Sequence, residues 1–372
     1  MIYFDNAASG GRKPDSVISA VRSAVQVCAN PGRSGHKLAL SCANIVQSCR
    51  YALNEYFDGY GFDRVTFTKN CTEALNIALF GVLKKGDHVV ATCMEHNSVL
   101  RPLAALQAAG VIAYDICPLD EHGNINAKTL LSFVKENTRL VAVTSASNVT
   151  GATPPIAEIR ALLPREILLL CDGAQGCGPL PLRMRELGVD LLALAGHKGL
   201  MAIQGSGALL FSDRVDPTPL LFGGTGSLSV ELEMPDFYPD ALEAGTISFP
   251  AVVSMLEGVR FVSQRERQHR AHLLSLTAYF LGGLKALSTY RAYSRPNACG
   301  IVAFKSEKRD SEQVAEILSQ EYDIAVRGGL HCAPLMHGAL STLDGGLVRV
   351  SFSAFNSEKE VDELLFALER IS

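Results

Sequence analysis

The 372-residue chain has no apolar run long enough to cross a bilayer. Its greasiest stretch, Leu191 to Phe211, is interrupted by His197, Lys198 and Gln204. It has no basic cluster, and a formal net charge of −4 with a pI near 6.2 leaves no electrostatic footprint for nucleic acid. Neither a membrane nor a nucleic-acid partner is therefore expected. The opening MIYFDNAASG shows no basic segment followed by a long apolar one, so no signal peptide is expected and a cytoplasmic location is. Internal repeats, low-complexity tracts and obvious linkers are missing. The glycines at 223, 224 and 226 do not make the G-x-G-x-x-G turn of a dinucleotide site.

What is present suits a packed globule: 48% apolar residues, 19% charged residues and a mean hydropathy of +0.16. The length suggests two lobes. Ten cysteines (Cys28, Cys42, Cys49, Cys71, Cys93, Cys117, Cys171, Cys177, Cys299, Cys332) in a chain without an export signal read as reduced thiols. Most serve as small buried hydrophobes.

Short apolar runs alternate with helical patterns through the middle of the chain. Arg64 to Thr68, HVVATC, VIAYDI, RLVAVTS, ILLLCD, DLLALAG and SGALLF read as strands. Thr72 to Leu83, VLRPLAALQAAG, AKTLLSFVKE and Ile156 to Leu162 read as helices. Strands apolar throughout, separated by helices, predict a mostly parallel sheet covered on both faces. Pro, Gly and Asp thicken between Asp213 and Pro239, which reads as a long surface segment. Leu256 to Leu287 reads as one long helical stretch. CGIVAFK, a helix over Ser311 to Gln320, DIAVR, LVRVSF and a helix over Glu358 to Ile371 make a smaller α+β lobe. The division is a large domain over 14–255, with 1–13 and 256–372 forming the small one.

Ligands of open α/β sheets sit beyond the carboxyl ends of strands. Lys198, in AGHKG after DLLALAG, is unusual there, because lysine is rarely interior and desolvation would free its amine as a nucleophile or base. Alone it reads more plainly as a lysine snorkelling to water. Asp172 ends ILLLCD and could keep a pyridine nitrogen protonated, as a pyridoxal 5′-phosphate (PLP) ring requires. Gln175 could bond that ring's phenolic oxygen. Asn70-Cys71-Thr72 lies between a strand and a helix start, a ready phosphate cradle, though Thr72 also fits an ordinary N-cap. His96, in MEHN after HVVATC, could stack on a flat ring; Asn148, after RLVAVTS, could bond its oxygen. Taken together, these strand ends describe one pocket.

With these residues in place the chain resembles the class V aminotransferase-fold PLP enzymes, and within them the cysteine desulfurase and selenocysteine lyase group. MEHNSVLRP, SNVTG, CDGAQG, GHKG, EAGT, RGGLHCAP and LVRVSF match in order and spacing, over essentially the whole chain. The resemblance implies the type I PLP-dependent transferase fold. It implies that Lys198, in the His197–Lys198 pair, carries the cofactor. It also implies a homodimer in which Gly245 and Thr246 reach the neighbouring subunit's cofactor phosphate. Arg349 matches the residue that grips the substrate carboxylate, for which a planar fork is apt. Alone, Arg349 could equally be an edge-strand residue facing water. Asn30, Arg33 and His36 resemble a loop that closes over substrate. The chain departs from the common pattern at Ala195, where many relatives carry a serine, at Met201-Ala202-Ile203 and at Ile247-Ser248.

Cys332 sits in a glycine-rich loop beside His331, apart from any apolar face, and suits a nucleophile. The other nine cysteines read as packing residues. His331, Cys332 and His337 match no standard zinc spacing, and no metal site is expected. The resemblance implies that L-cysteine displaces Lys198 from the cofactor, that Lys198 moves the α-proton, and that the Cys332 thiolate takes the sulfur as a persulfide. Alanine is left, and a small thiol or a sulfur-acceptor protein collects the persulfide. Cleavage of L-selenocysteine, another carbon–sulfur lyase reaction, transamination or a non-catalytic partner role remain the alternatives.

Overall fold

The computed structural model describes residues 1–27, 29–31 and 33–372, so Cys28 and its expected packing role lie outside the described residues. Regular structure starts with β1 (Ile2–Tyr3), α1 (Asp15–Gln26) and α2 (Lys37–Tyr56). Strands and helices then alternate: β2 (Val65–Thr68), α3 (Cys71–Val82), β3 (Asp87–Thr92), α4 (Asn97–Ala108), β4 (Ile112–Cys117), α5 (Ala127–Leu131) and β5 (Thr138–Thr144). The pattern continues with α6 (Ile156–Leu162), β6 (Leu168–Asp172), α7 (Met184–Leu187), β7 (Leu191–Ala195) and β8 (Gly207–Phe211). The remainder comprises α8 (Phe249–Ser263), α9 (Glu266–Leu284), β9 (Tyr290–Ala292), β10 (Ile301–Ser306), α10 (Ser311–Tyr322), β11 (Ile324–Ala325), α11 (Pro334–Ala339), β12 (Val348–Ser351) and α12 (Glu358–Ile371).

Seven strands form the large sheet in the order β2-β8-β7-β6-β5-β3-β4, and β8 alone runs against the rest. Its apolar strands are buried because both faces are covered. Successive side chains point to opposite faces: Val141, Val143, Leu169 and Cys171 enter one apolar cluster, Leu140, Ala142, Leu168 and Leu170 the other. The parallel register sets Thr144 beside Asp172 and Asp172 beside Ala193, so these strands deliver their last residues to one edge. The smaller sheet, β12-β10-β9, is antiparallel, and β1 pairs in parallel with β11. Val361, Leu364, Leu368 and Ile371 turn one face of α12 onto this lobe's core.

The long helical stretch expected from Leu256 to Leu287 is in fact two helices, α8 and α9, and the first begins earlier, at Phe249. They part at Gln264–Arg265, where no proline or glycine marks a break. The cause is tertiary: α8 packs on α1 and α2, whereas α9 packs on α12. Among the described residues no helix is long and apolar enough to cross a membrane.

Gly258 of α8 shows how this packing reaches the strand ends. A Cβ there would overlap the carbonyl of Leu200, two residues beyond Lys198. Alanine favours a helix interior over glycine by about 1 kcal/mol, but overpacking against rigid backbone costs roughly 1–3 kcal/mol. Gly258→Ala is therefore expected to lower the urea midpoint, and an increase would show that Leu200 yields freely.

Candidate active site

A cleft opens at the carboxyl ends of β3, β5, β6 and β7. Cys71, Thr72, His96, Asn148, Asp172, Gln175, His197 and Lys198 all line it, together with Ser98 and Ala195. The strand-end residues singled out in the sequence thus meet in one place.

Lys198 is half-buried in the turn after β7. Desolvation holds its amine below the ordinary lysine value, and Asp172 opposes that effect without cancelling it. Asp172 is buried at the end of β6. Its Oδ1 accepts from the Ala174 N–H at 2.9 Å and from the Cys71 thiol at 3.4 Å, which leaves Oδ2 for an incoming N–H. Cys71 is therefore more than a packing residue. Burial and the neighbouring Asp172 carboxylate push its thiol well above the usual range, so it is a neutral donor.

Thr72 is not the N-cap of α3. Asn70 caps that helix, its side chain accepting from the Glu73 N–H at 2.9 Å. Thr72 is exposed one position into the first turn, and its hydroxyl lies 2.9 Å from the Ser98 hydroxyl. His96 caps α4: its Nδ1 accepts from the Ser98 N–H at 3.1 Å and sits 2.9 Å from the Ser98 hydroxyl. A neutral His96 ring must then carry its proton on Nε2, and burial lowers its pKa accordingly. Free helix-start amides, two hydroxyls and this ring suit a small anion joined to a flat group. Ser98 was not anticipated; a serine two residues after a helix-capping histidine was the available signal.

Glu95 supports His96 from below. Its Oε1 accepts from the Thr92 hydroxyl at 2.6 Å and the Thr144 N–H at 2.9 Å, tying β3 to β5. It is fully buried, and desolvation raises its pKa to about 8, so it serves as a neutral acid at pH 7. His197 is held neutral: burial, Lys198 and Lys13 lower its pKa to about 4, and its Nδ1 lies 3.1 Å from the Ser9 hydroxyl. Gln175 turns its Nε2 to the Ala7 carbonyl at 3.0 Å.

Arg349 does not face water on an edge strand; it is 1% exposed. It donates to Asp5 Oδ1 at 2.8 Å and to the Asn148 carbonyl at 3.0 Å, and its Nε is buried without a partner. It does not itself line the cleft but adjoins it through Asn148, whose Oδ1 is also buried and unpartnered. Asp5 was missed as the counter-charge of Arg349, since 344 residues separate the two in sequence. Cys332 is exposed, unlike the other eight described cysteines. Its carbonyl accepts from the Asn97 N–H at 2.8 Å, and the carbonyl of His331 accepts from Asn148 Nδ2 at 2.6 Å. These bonds pin the Cys332 loop to the cleft wall.

Within one chain Asn30, Arg33 and Gly245 border a different pocket, where Arg33 donates to the Gly245 carbonyl at 2.6 Å. Thr246 borders a third. His36 is exposed and caps α2, its Nδ1 accepting from the Ala39 N–H at 3.2 Å. None of these five lines the Lys198 cleft. The EAGT segment is anchored by Glu243, which takes a two-point bond from buried Arg50 at 2.9 and 2.6 Å and accepts from the Phe67 N–H at 2.6 Å.

The family model of the class-V aminotransferases matches residues 2–364. The chain belongs to that family. It is 32% identical over 382 residues to a "probable cysteine desulfurase" of Methanothermobacter thermautotrophicus, covering 100% of this chain and 94% of that one. The apo structure of a cysteine desulfurase from Thermococcus onnurineus NA1 superposes with a TM-score of 0.91 at 28% identity, covering 100% of this chain and 94% of that one. CsdA, a cysteine desulfurase of Escherichia coli, superposes with a TM-score of 0.89 at 25% identity, covering 99% and 94%. As in these class-V relatives, the α/β architecture is a large mostly parallel sheet beside a smaller lobe.

Two buried histidines of the Cys332 loop and α11 make a pH prediction. His331 and His337 are buried neutral: desolvation comes first, with Arg349, Arg327 and His337 adding to it around His331, whose pKa falls to about 2. Their folded values lie below the unfolded value near 6.5, so the unfolded chain binds protons first as pH falls. Stability is thus complete above about pH 6.5 and declines below it. Thermal melts at pH 7.5 and 5.0 should show the midpoint drop, and His337→Gln should lessen the drop; equal drops in both proteins would contradict this assignment.

Proposed function

We propose that this protein is a PLP-dependent cysteine desulfurase, converting L-cysteine to L-alanine with the sulfur retained on Cys332. The observation that supports the proposal is that Lys198 and Asp172 line one cleft together with Asn148, whose side chain also holds the loop that carries Cys332. The cleft fits PLP: Thr72, Ser98 and the amides starting α3 would hold the phosphate, His96 would lie against the ring, and Asp172 Oδ2 would accept the ring N–H. Gln175 and Asn148 would reach the phenolic oxygen through the second N–H of each side-chain amide, the first being given to the Ala7 and His331 carbonyls. Ala195 supplies no phosphate hydroxyl, and Ser98 takes that role in our reading. When bound, PLP supplies an aldehyde for the substrate amine and an electron sink in its protonated ring.

The protein's own groups do the rest. Lys198, desolvated and so inclined to lose its proton, takes the proton from the substrate Cα. Asp172 Oδ2 would accept the hydrogen of the ring nitrogen. His96, neutral with Nε2–H, offers a donor without adding charge. Arg349 binds the substrate carboxylate through its free Nε and by exchanging Asp5 for the ligand. The Cys332 thiolate attacks the substrate sulfur; the S–S bond forms as the C–S bond breaks, and the electron pair stays on carbon, which takes a proton to become the methyl of alanine. A thiol then removes the persulfide, from a small molecule or an acceptor protein. Gly245, Thr246, Asn30, Arg33 and His36 act on the neighbouring subunit's cleft in a homodimer, which accounts for their distance from Lys198 in one chain. The nine described cysteines are all unpaired, which supports a reducing, cytoplasmic setting.

Holoenzyme given L-cysteine with dithiothreitol should release alanine and sulfide in equal amounts. Cys332→Ala should lose at least 100-fold of that rate while keeping its PLP absorbance, and Lys198→Ala should lose the imine absorbance band. Full desulfuration by Cys332→Ala would overturn the proposal. Retained cleavage of L-selenocysteine alone would assign the site to selenium instead.

A further inference from the structure

We propose that His337 is a positioning residue for Cys332, acting through His331. The inference rests on the reading of Cys332 as the sulfur carrier, and begins from a backbone outlier. His331 and Cys332 are consecutive non-glycine residues with φ of +51° and +56°. Side chains disfavour this left-handed region, and two such residues in succession persist only where the surroundings impose the turn. Reversing it would re-aim the Cys332 side chain, which is exposed and has no side-chain hydrogen bond among the described residues.

Three groups impose the turn. Asn148 Nδ2 donates to the His331 carbonyl at 2.6 Å, and the Asn97 N–H donates to the Cys332 carbonyl at 2.8 Å. Both border the Lys198 cleft or the His96 cap. The third is His337, entirely buried in the last turn of α11. Its ring lies nearly coplanar with that of His331, edge to edge, with centroids 5.6 Å apart and planes 23° apart.

The proton positions follow from the partners. A carbonyl only accepts, so His331 Nε2 carries a hydrogen toward the Arg327 carbonyl at 3.2 Å. His331 Nδ1 is then an acceptor, and His337 Nε2 is the donor that faces it at 3.4 Å. His337 Nδ1 in turn accepts from the Thr342 hydroxyl at 2.9 Å. Thr342 is also fully buried, and its N–H closes back on the His337 carbonyl at 2.9 Å. The chain Thr342–His337–His331–Arg327 fixes one tautomer at each ring and leaves His331 one orientation. With its carbonyl and its ring both held, His331 keeps the left-handed turn, and the turn fixes the direction of the Cys332 side chain.

The test uses PLP-loaded protein and two independent readouts. Hydrogen exchange of the 327–334 segment, measured without substrate, should be at least fivefold faster in His337→Leu. Turnover of L-cysteine should show kcat lowered about tenfold with KM changed less than twofold, and the absorbance change on mixing with L-cysteine should keep its wild-type rate. His337→Gln, whose amide nitrogen can reproduce the donor to His331, should restore both to within threefold. Thr342→Val, which keeps shape and removes the hydroxyl that sets the tautomer, should give the same pattern at smaller size and serves if His337→Leu fails to fold. Unchanged exchange in both variants would overturn the proposal, as would faster exchange with full kcat. Full turnover by Cys332→Ala, with the exchange result intact, would instead overturn the sulfur-carrier reading.

Discussion

Everything at the cleft depends on an amine and a carboxylate brought to the same sheet edge, Lys198 after β7 and Asp172 at the end of β6. Parallel strands guarantee the meeting: with Thr144, Asp172 and Ala193 in register, whatever follows each strand emerges on one side. Two effects then compete on Lys198. Desolvation favours the neutral amine and Asp172 favours the ammonium; desolvation is the larger, so the amine sits below its ordinary value. That balance suits an amine available as a nucleophile or a base. A fully exposed lysine would stay charged, and a buried lysine without Asp172 would lie beside no partner for a ring nitrogen.

Around this pair the fold keeps its other titratable groups neutral. Glu95 is held as an acid by burial between β3 and β5, and His96 and His197 are held as free imidazoles. Fewer charges compete with Asp172 and Lys198 as a result, and hydrogen bonds to neutral groups orient side chains without adding fields. The exception is Arg349, buried with Asp5. Removing one member of a buried pair is costly unless a replacement arrives, so a substrate carboxylate is a natural exchange partner for Asp5.

How far the site was legible depended on what kind of signal each residue leaves. Lys198, Asp172, His96 and Asn148 stand out because a polar residue directly after an apolar strand breaks a strong pattern. Ser98 and Asn97 break none: they sit in a polar helix start where serine and asparagine are expected. Asp5 belongs to Arg349 only through the three-dimensional return of the N-terminus onto β12, which no local spacing encodes. The single helix read over Leu256 to Leu287 failed for a related reason. VSQRERQ is compatible with a continuous helix, and only the different partners of α8 and α9 divide it. Gly245, Thr246, Asn30, Arg33 and His36 entered through family resemblance alone, and one chain does not bring them to Lys198.

The cysteines show why exposure rather than abundance selects the chemistry. Burial raises Cys93 to about 12, Cys117 to about 11 and Cys299 to about 12, and drives Cys71, Cys171 and Cys177 well above the usual range. A thiol in that state is not a nucleophile near pH 7, since the thiolate is the reactive form. A sulfur atom cannot reach such residues either, because the surrounding core is closed. Among the described cysteines only Cys332 is exposed, and it is so by leaving the helix and strand frame for a turn that side chains disfavour. The fold thus keeps the buried thiols as packing and presents one on a strained, braced loop.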